Sequence, residues 1–345
     1  MVQDLIILDE LNGQEAAVLL RSNRIEDCFF SLVNKNFLTP GNIYNGLIDR
    51  TVKGQGGAFI KLPNNKTGFL RNSKGLKLGK KILVQVTGYP EEGKAIPLSN
   101  KIMLKGRTVI VTPFAKGVNF SRQIKLDHEK LRILDVLNRI FSDDIEFGII
   151  VRSIATQICS EEIQNETKSY INIAQKILSD EEKKPTLLVQ GSTPHELALR
   201  EWRDSDDIKV IYNGFEDYGI LDKLDSLLNP KVEAGLGAFF IEPTRAVVAV
   251  DVNTGKDFSV TSGLKANLNL ARMLPRQLRL RGLGGQIVLD LAPMPKRDRK
   301  LFEIDLKKAF KADPVDTILV GWTPLGHYEI QRKRERVSLE SVLKP

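Results

Sequence analysis

Hydrophobic and polar positions alternate along the chain with different periods. From Ala246 to Val250 the run AVVAV is short, apolar and rich in β-branched residues, with Pro-Thr before it and Asn-Thr-Gly after it. Such a run predicts a buried strand. Gln286-Ile-Val-Leu289 predicts a second. Each ends in an aspartate, Asp251 and Asp290, and Asn253 follows the first on the same face of a continuing strand. The span between them is long enough for a crossover helix, so the strands are expected to be parallel neighbours. Adjacent strands lie about 4.8 Å apart. Carboxylates at equivalent ends could then share one Mg²⁺, which binds oxygen at about 2.1 Å and often uses only one or two protein carboxylates. A lone aspartate after a strand is more often a turn or capping residue. Two of them ending the strands of one βαβ unit, where open α/β sheets bind ligands, favour the metal.

Elsewhere the pattern falls into further blocks. Residues 1–36 read as strands, with Asn12-Gly13 as a hairpin signal, but are too few for a domain. Residues 37–104 are short alternating strands between Gly, Pro and Asn turns, as in a small β-barrel. Residues 105–185 mix strands (RTVIVTP, EFGIIVRSIA) with helical spacing, including a long helix that ends before Pro185. Residues 186–235 alternate strand-like and helical runs and are the expected partner of the N-terminal strands. Residues 236–345 hold the aspartate strands. They also hold a basic amphipathic helix with Leu301, Ile304, Leu306 and Phe310 expected inward. A strand, a turn and a basic segment with Trp322 and Tyr328 follow, either to stack a base or to pack under the turn. The fold class is a multidomain α+β and α/β chain.

Composition narrows the function classes. The chain has 345 residues, 42% hydrophobic and 27% charged, ample for two or three domains. A net charge of +8 and a pI near 9.3 favour an anionic partner. Cys28 and Cys159 are far apart, which excludes a disulfide framework and argues against a structural zinc site; both read as small core residues. His128, His195 and His327 show no metal-ligand spacing and no Ser-His-Asp constellation. The N-terminus has no signal-peptide pattern, and no segment is long enough to span a membrane, so a cytoplasmic protein is expected. Between the aspartate strands, Arg272, Arg276 and Arg279 share one helical face. Such a face is commonly solvated; beside a dicarboxylate site it is expected to track the phosphates of a polyanion. Gly282, Gly284 and Gly285 follow a helix and precede a strand, which makes a helix C-cap a better reading than a phosphate loop.

The segments VAVDVNTGK, ANLNLARMLPRQLRLRGLGGQIVLDLAPM and GWTPLGHYEIQRKR resemble the catalytic region of the ribonuclease E/G family, and a weaker likeness extends over nearly the whole chain. The resemblance implies a Mg²⁺ held by Asp251 and Asp290, with Mn²⁺ as a substitute, and Asn253 orienting the first of them. It implies an RNase H-like subdomain from residues 1–36 and 186–235 and a DNase I-like catalytic domain at 236–345. For 37–104 it implies an S1-type OB-fold, with Phe59 and Phe69 at base-stacking positions and Lys94 at a basic one. Whether both rings face outward or fill the barrel is left open by alternation alone. For 105–185 it implies a sensor of RNA 5′-monophosphate built from Gly106, Ile110, Arg152 and Ser153, with Arg122 as a further RNA contact. Arg152 suits a phosphate through its bidentate fork, and equally suits a cap or pair at a strand end.

The chain departs from the family pattern in several places. It stops where longer members carry a CxxC zinc link, so no zinc and no zinc-linked assembly is expected; a homo-oligomer remains compatible. Pro314-Val315-Asp316 stands where the family sensor has a further arginine, Arg245 replaces an acidic residue, and the loop after Asp251 is short. The expected activity is Mg²⁺-dependent endonucleolytic hydrolysis of single-stranded RNA in RNA processing or decay, leaving 5′-phosphate and 3′-hydroxyl ends. A non-catalytic RNA-binding protein on the same scaffold is the alternative. A nucleotide-binding oxidoreductase is disfavoured by the lack of G-x-G-x-x-G between strand and helix.

Overall fold

The computed structural model describes residues 4–32, 38–52, 54, 56–72, 74–91, 93–141, 147–182, 184–203, 208–235 and 237–344. They form two compact units, Met1–Asn34 with Asp206–Pro345 and Lys35–Ser205. The expected boundary at 36/37 lies outside the described residues.

The chain opens on a meander of β1 (Leu5–Leu11), β2 (Gln14–Arg21) and β3 (Arg24–Phe30). Asn12 and Gly13 both take positive φ, 55° and 70°, the conformation that a two-residue hairpin of matching twist requires. Ser22 and Asn23 do the same at the second turn, without an Asn-Gly pair to signal it.

In the unit Lys35–Ser205, β4 (Ile43–Val52), β5 (Gly57–Lys61), β6 (Thr67–Arg71), β7 (Lys81–Val86) and β8 (Ile96–Ser99) run in the order β4-β5-β6-β8-β7. A β4–β7 pairing closes them into a barrel around Ile48, Ala58, Ile60, Leu70, Val84 and Leu98. Next come β9 (Leu104–Lys105), β10 (Val109–Thr112), β11 (Gly117–Phe120), α1 (Asp127–Asn138), β12 (Gly148–Val151) and α2 (Ser160–Leu178). Their sheet has the order β11-β12-β10-β9. Ile133 and Leu137 of α1 and Ile163 of α2 pack with Val109, Ile149 and Val151 of this sheet. Strand β13 (Thr186–Val189) then pairs antiparallel with β4, and α3 (Pro194–Glu201) closes the unit, started by a Thr193–Glu196 capping box. This corrects the grouping of 186–235 as one block. Thr186–Val189 satisfies its backbone on the barrel sheet, and only the part beyond 206 joins the N-terminal strands.

In the other unit, β14 (Lys209–Tyr212) lies parallel beside β1, giving the order β14-β1-β2-β3, and α4 (Ile220–Ser226) follows. Then come β15 (Lys231–Ala234), β16 (Gly237–Pro243), β17 (Val248–Asn253), α5 (Ser262–Leu280) and β18 (Gly285–Asp290). The chain ends with α6 (Arg299–Ala312), β19 (Thr317–Trp322), β20 (Tyr328–Arg332) and α7 (Leu339–Leu343). The strands form one sheet, β15-β16-β17-β18-β20-β19. Its covered face meets α5 and α6 through Phe239, Val250, Leu274, Ile287, Leu289, Phe302 and Leu306. Phe302, Leu306 and Phe310 carry the inner stripe of α6, whereas Leu301 and Ile304 point to solvent, against expectation. Asn12 Nδ2 donates to the Val342 carbonyl at 2.8 Å, tying the first hairpin to α7. Among the described residues no helix is long and apolar enough to cross a membrane.

Candidate active site

Strands β17 and β18 are parallel neighbours, and their register pairs Val250 with Leu289 and Asp251 with Asp290. Alternation sends Val250, Val252, Ile287 and Leu289 into the core and turns both aspartates to the opposite face, where they are exposed. The 19-residue helix α5 makes the crossover and ends in a Schellman motif. Leu283 N–H donates to the Leu278 carbonyl and Gly282 N–H to Arg279, with Gly282 at φ 64°. A Cβ on Gly282 would approach the Val337 carbonyl oxygen to 1.8 Å, so glycine is required there on two counts.

Across the sheet the register continues as one row: Lys231 opposite Phe240, Phe240 opposite Asp251, Asp251 opposite Asp290. Among the described residues neither aspartate is paired with a lysine or arginine. His327, in the turn between β19 and β20, brings Nδ1 to 3.2 Å from Asp290 Oδ1. Asn253 shares the exposed face, but its Oδ1 accepts from Gly255 N–H at 2.8 Å and closes an Asx turn. That oxygen holds the loop after the strand. Two exposed carboxylates on adjacent strands, one of them beside His327, are a hard-oxygen donor pair that suits Mg²⁺, a cation that keeps several waters of its own. Among the described residues no group of three or more His, Cys, Asp or Glu side chains is placed to hold a metal.

The arginine row of α5 has another role than the one expected. Arg279 is 7% exposed; it pairs with Asp313, with Glu26 at 2.9 Å and with Asp27 at 3.2 Å. Burial pulls its guanidinium down, and Asp27, Asp313 and Glu26 together outweigh that and raise it above its ordinary value. Arg276 donates to the Ile25 carbonyl and pairs with Glu26, and Arg272 pairs with Asp305 at 2.8 Å. Arg332 and Asp313, each 1% exposed, pair at 2.8 Å, and Arg336 reaches Asp27 at 3.0 Å. These cations fasten the N-terminal strands and α6 to α5. Cys28 is buried in the same place and its thiol is pushed up to about 12, by burial first and by Asp27 second, whereas Cys159 is exposed and is not a core residue.

On the barrel, Ala58, Ile60 and Leu70 point inward, so Phe59 and Phe69 face outward and are half-buried. They are cross-strand partners, with ring centroids 5.3 Å apart in an edge-to-face arrangement. The Arg50 guanidinium lies 4.4 Å from the Phe59 centroid. A Cβ on Gly57 would come within 2.3 Å of Phe69 Cζ, so the ring lies directly on that glycine. Lys94 is exposed and pairs with Glu91 at 2.5 Å; Arg122 is exposed.

Gly106, Ile110, Arg152 and Ser153 do come together around β10 and β12. Ile110 sits opposite Ile150 and Lys105 in the ladder, and Ser153 starts the turn after β12. The polar groups, however, already have partners. Arg152 Nη1 donates to the Gly106 carbonyl at 2.8 Å and Nη2 to Glu201 at 2.5 Å. Glu166 accepts from the backbone N–H groups of Arg107 and Thr108, both at 2.7 Å, and from the Thr108 hydroxyl. Burial acts to raise the Glu201 carboxyl; Arg152 and Arg200 outweigh it and hold it below the usual carboxylate range. Asp316, expected near the place of a missing sensor arginine, pairs with Lys333 at 2.6 Å within the unit of the aspartate strands. Trp322 packs against Phe302 and Tyr328 and donates to Glu303 at 2.6 Å, so the ring under the turn is structural.

Comparison with known proteins identifies the ancestry of this arrangement. The model of the ribonuclease E/G family matches residues 103–216 and 209–335, well over half of the chain. The chain belongs to the ribonuclease E/G family. Ribonuclease G of Salmonella typhimurium is 27% identical over 88% of this chain and 74% of its own length. Ribonuclease G of Escherichia coli K12 is 26% identical over the same shares. A ribonuclease E of a Nostoc species is 29% identical over 86% of this chain and 51% of its own. The matched spans of the family model include Arg122, Arg152, Asp251, Asn253 and Asp290; Phe59, Phe69 and Lys94 lie before them. His327 sits inside the family-like GWTPLGHYE segment, and its place in that turn was the available signal for a contact with Asp290. Glu166 and Glu201 carried no signal, because nothing in a helical pattern says which carboxylate folds back onto a strand.

Proposed function

We propose that this member of the ribonuclease E/G family is a divalent-metal-dependent endoribonuclease that cleaves single-stranded RNA, in RNA processing or decay. The observation that carries this reading is the pairing of Asp251 with Asp290 on the exposed face at the ends of two parallel strands. Asp251 and Asp290 would hold the cation, Mg²⁺ or Mn²⁺, which supplies water activation and charge stabilisation at the phosphate. The chain's own part is to hold both carboxylates at one level of a rigid sheet. Asn253 fixes the loop that follows Asp251, and His327 lies against Asp290. Hydrolysis leaves a 5′-phosphate and a 3′-hydroxyl. The outward Phe59 and Phe69, flanked by Arg50, offer two rings to unpaired bases.

The 5′ end of the substrate matters little in this reading. Glu201 and Glu166 take the donors that a terminal phosphate would use. A 5′-monophosphate must displace a paired carboxylate before it gains the fork of Arg152. A preference of about tenfold or less over 5′-hydroxyl RNA follows, about 1.4 kcal/mol. The test is incubation of the purified chain with end-labelled single-stranded RNA, with Mg²⁺, with chelator, and with Mg²⁺ restored, both product ends being mapped. Binding without cleavage under all three conditions would favour the non-catalytic alternative.

A further inference from the structure

We propose that Phe240 is a stacking platform for a base next to the scissile phosphate, an inference that rests on RNA being the ligand of the Asp251–Asp290 site. Phe240 lies in β16, directly opposite Asp251 in the register, with Lys231 on its other side. Neighbouring strands are about 4.8 Å apart, so the ring sits one strand from a carboxylate that would hold the metal and two from the other. Its chain neighbours, Phe239 and Ile241, are 0% and 1% exposed and fill the core. Alternation therefore turns Phe240 away from the core and onto the face of the aspartates, where it is half-buried.

The surroundings make this aromatic unusual on its face. The other members of its row, Lys231, Asp251 and Asp290, are charged and exposed. Along β16 the next residue on that side, Glu242, is exposed as well. Among the described residues Phe240 has no ring or cation partner, unlike Phe59, Phe302 and Trp322, which all do. A large flat side chain that is half-buried but stacked on no other ring or cation among the described residues, set in a charged row beside a phosphate-directed site, has the chemistry of a nucleobase contact. Every base presents a π-face, so such a contact is sequence-tolerant. Its consequence is positional: the stacked base decides which phosphate comes to rest over Asp251 and Asp290. Lys231, whose Nζ pairs with Glu233 at 2.7 Å on the exposed rim, is placed to meet a phosphate one step further along.

The experiment uses the full chain carrying Asp290→Asn, so that RNA is retained while binding is read. Phe240→Trp is added, and its emission is compared with that of the Asp290→Asn parent, which holds only Trp202 and Trp322. The titrants are a single-stranded oligoribonucleotide and an abasic ribose-phosphate chain of the same length. Quenching of the added indole by the oligoribonucleotide and not by the abasic chain is the expected result. In the same background Phe240→Ala should weaken binding of the oligoribonucleotide by roughly 5- to 100-fold, Phe240→Tyr should restore it, and the melting temperature should barely move. An unquenched indole, or full affinity in the alanine variant, overturns the proposal. The outcome is separable from that of the endoribonuclease reading. Metal-dependent cleavage by the wild type without quenching removes only the platform, and quenching without cleavage removes only the catalysis.

Discussion

Arg279→Ala and Asp313→Ala separate a structural arginine row from an RNA-tracking one. In Arg279→Ala, Asp27 keeps Arg336 at 3.0 Å and Asp313 keeps Arg332 at 2.8 Å, so each buried carboxylate retains one cation. Breaking a buried pair by removing one partner costs about 3–5 kcal/mol, and the retained partners put this variant near 3 kcal/mol. Asp313→Ala is worse. It takes the carboxylate from Arg332, which is 1% exposed and is left with the Thr317 hydroxyl at 2.9 Å and the Phe310 ring, neither of them charged, and from Arg279 as well. That variant belongs near 5 kcal/mol. For a unit of this size each kcal/mol lowers the melting temperature by about 2–4 °C, so losses of about 6–12 °C and 10–20 °C are expected. Arg272→Ala, whose guanidinium side chain is 62% exposed, should stay within about 1 kcal/mol. Thermal unfolding by circular dichroism, together with RNA affinity against salt, gives the decision. If Arg279→Ala melts like wild type while the salt slope of RNA binding falls by about 1, the row tracks phosphates and the structural assignment is wrong.

Three further expectations concern the sites. Asp290→Asn should reduce RNA cleavage by several orders of magnitude with binding retained, and Asn253→Ala should lose less; cleavage near the wild-type rate in Asp290→Asn would contradict a shared metal. Phe69→Ala should weaken single-stranded RNA binding by about 1–3 kcal/mol with little change in melting, and the reverse pattern, seen when both are measured, would make the ring a structural one. Glu201→Gln should raise the ratio of initial rates on 5′-monophosphate over 5′-hydroxyl oligonucleotides, because it releases Arg152. The same variant has a pH signature. The folded carboxyl of Glu201 lies below its ordinary value, so its charge stabilises the fold fully above the ordinary carboxylate range, and that stability is lost as pH falls through the depressed value. The difference in melting temperature between wild type and Glu201→Gln should be constant down to that range and shrink in stronger acid.

The strands that carry Asp251 and Asp290 were legible because local chemistry determines them: a short β-branched run, a polar end, and a crossover of helical length. The same holds for the Asn12-Gly13 hairpin and the glycine cap after α5. What local pattern does not contain is the partner. Alternation around Phe59 defines two faces, and only closure of the barrel decides that Ala58 and Ile60 take the inside. Thr186–Val189 reads as a strand in either sheet; its choice of β4 is made by contacts far away in the sequence. The arginines of α5 share a face as expected, but whether that face meets solvent, RNA or Asp27 depends on where residues 1–34 fold back. On α6 a stripe through Leu306 and Phe310 can be completed by Phe302 or by Leu301 and Ile304, and the larger ring took the core.

The split composition of the unit Met1–Asn34 with Asp206–Pro345 sets an order on synthesis. The first hairpins emerge from the ribosome long before β14, which completes their sheet beside β1, and before Arg279, which neutralises Glu26 and Asp27. At about 5–20 residues per second, the wait from residue 34 to residue 209 is roughly 10–35 s. Residues 35–205 are contiguous and can fold during that interval. The nascent N-terminal meander meanwhile carries an open strand edge, with Glu26 and Asp27 still waiting for Arg279. Those charges keep the edge soluble and unattractive to other strands until the helix bearing their counterions is made.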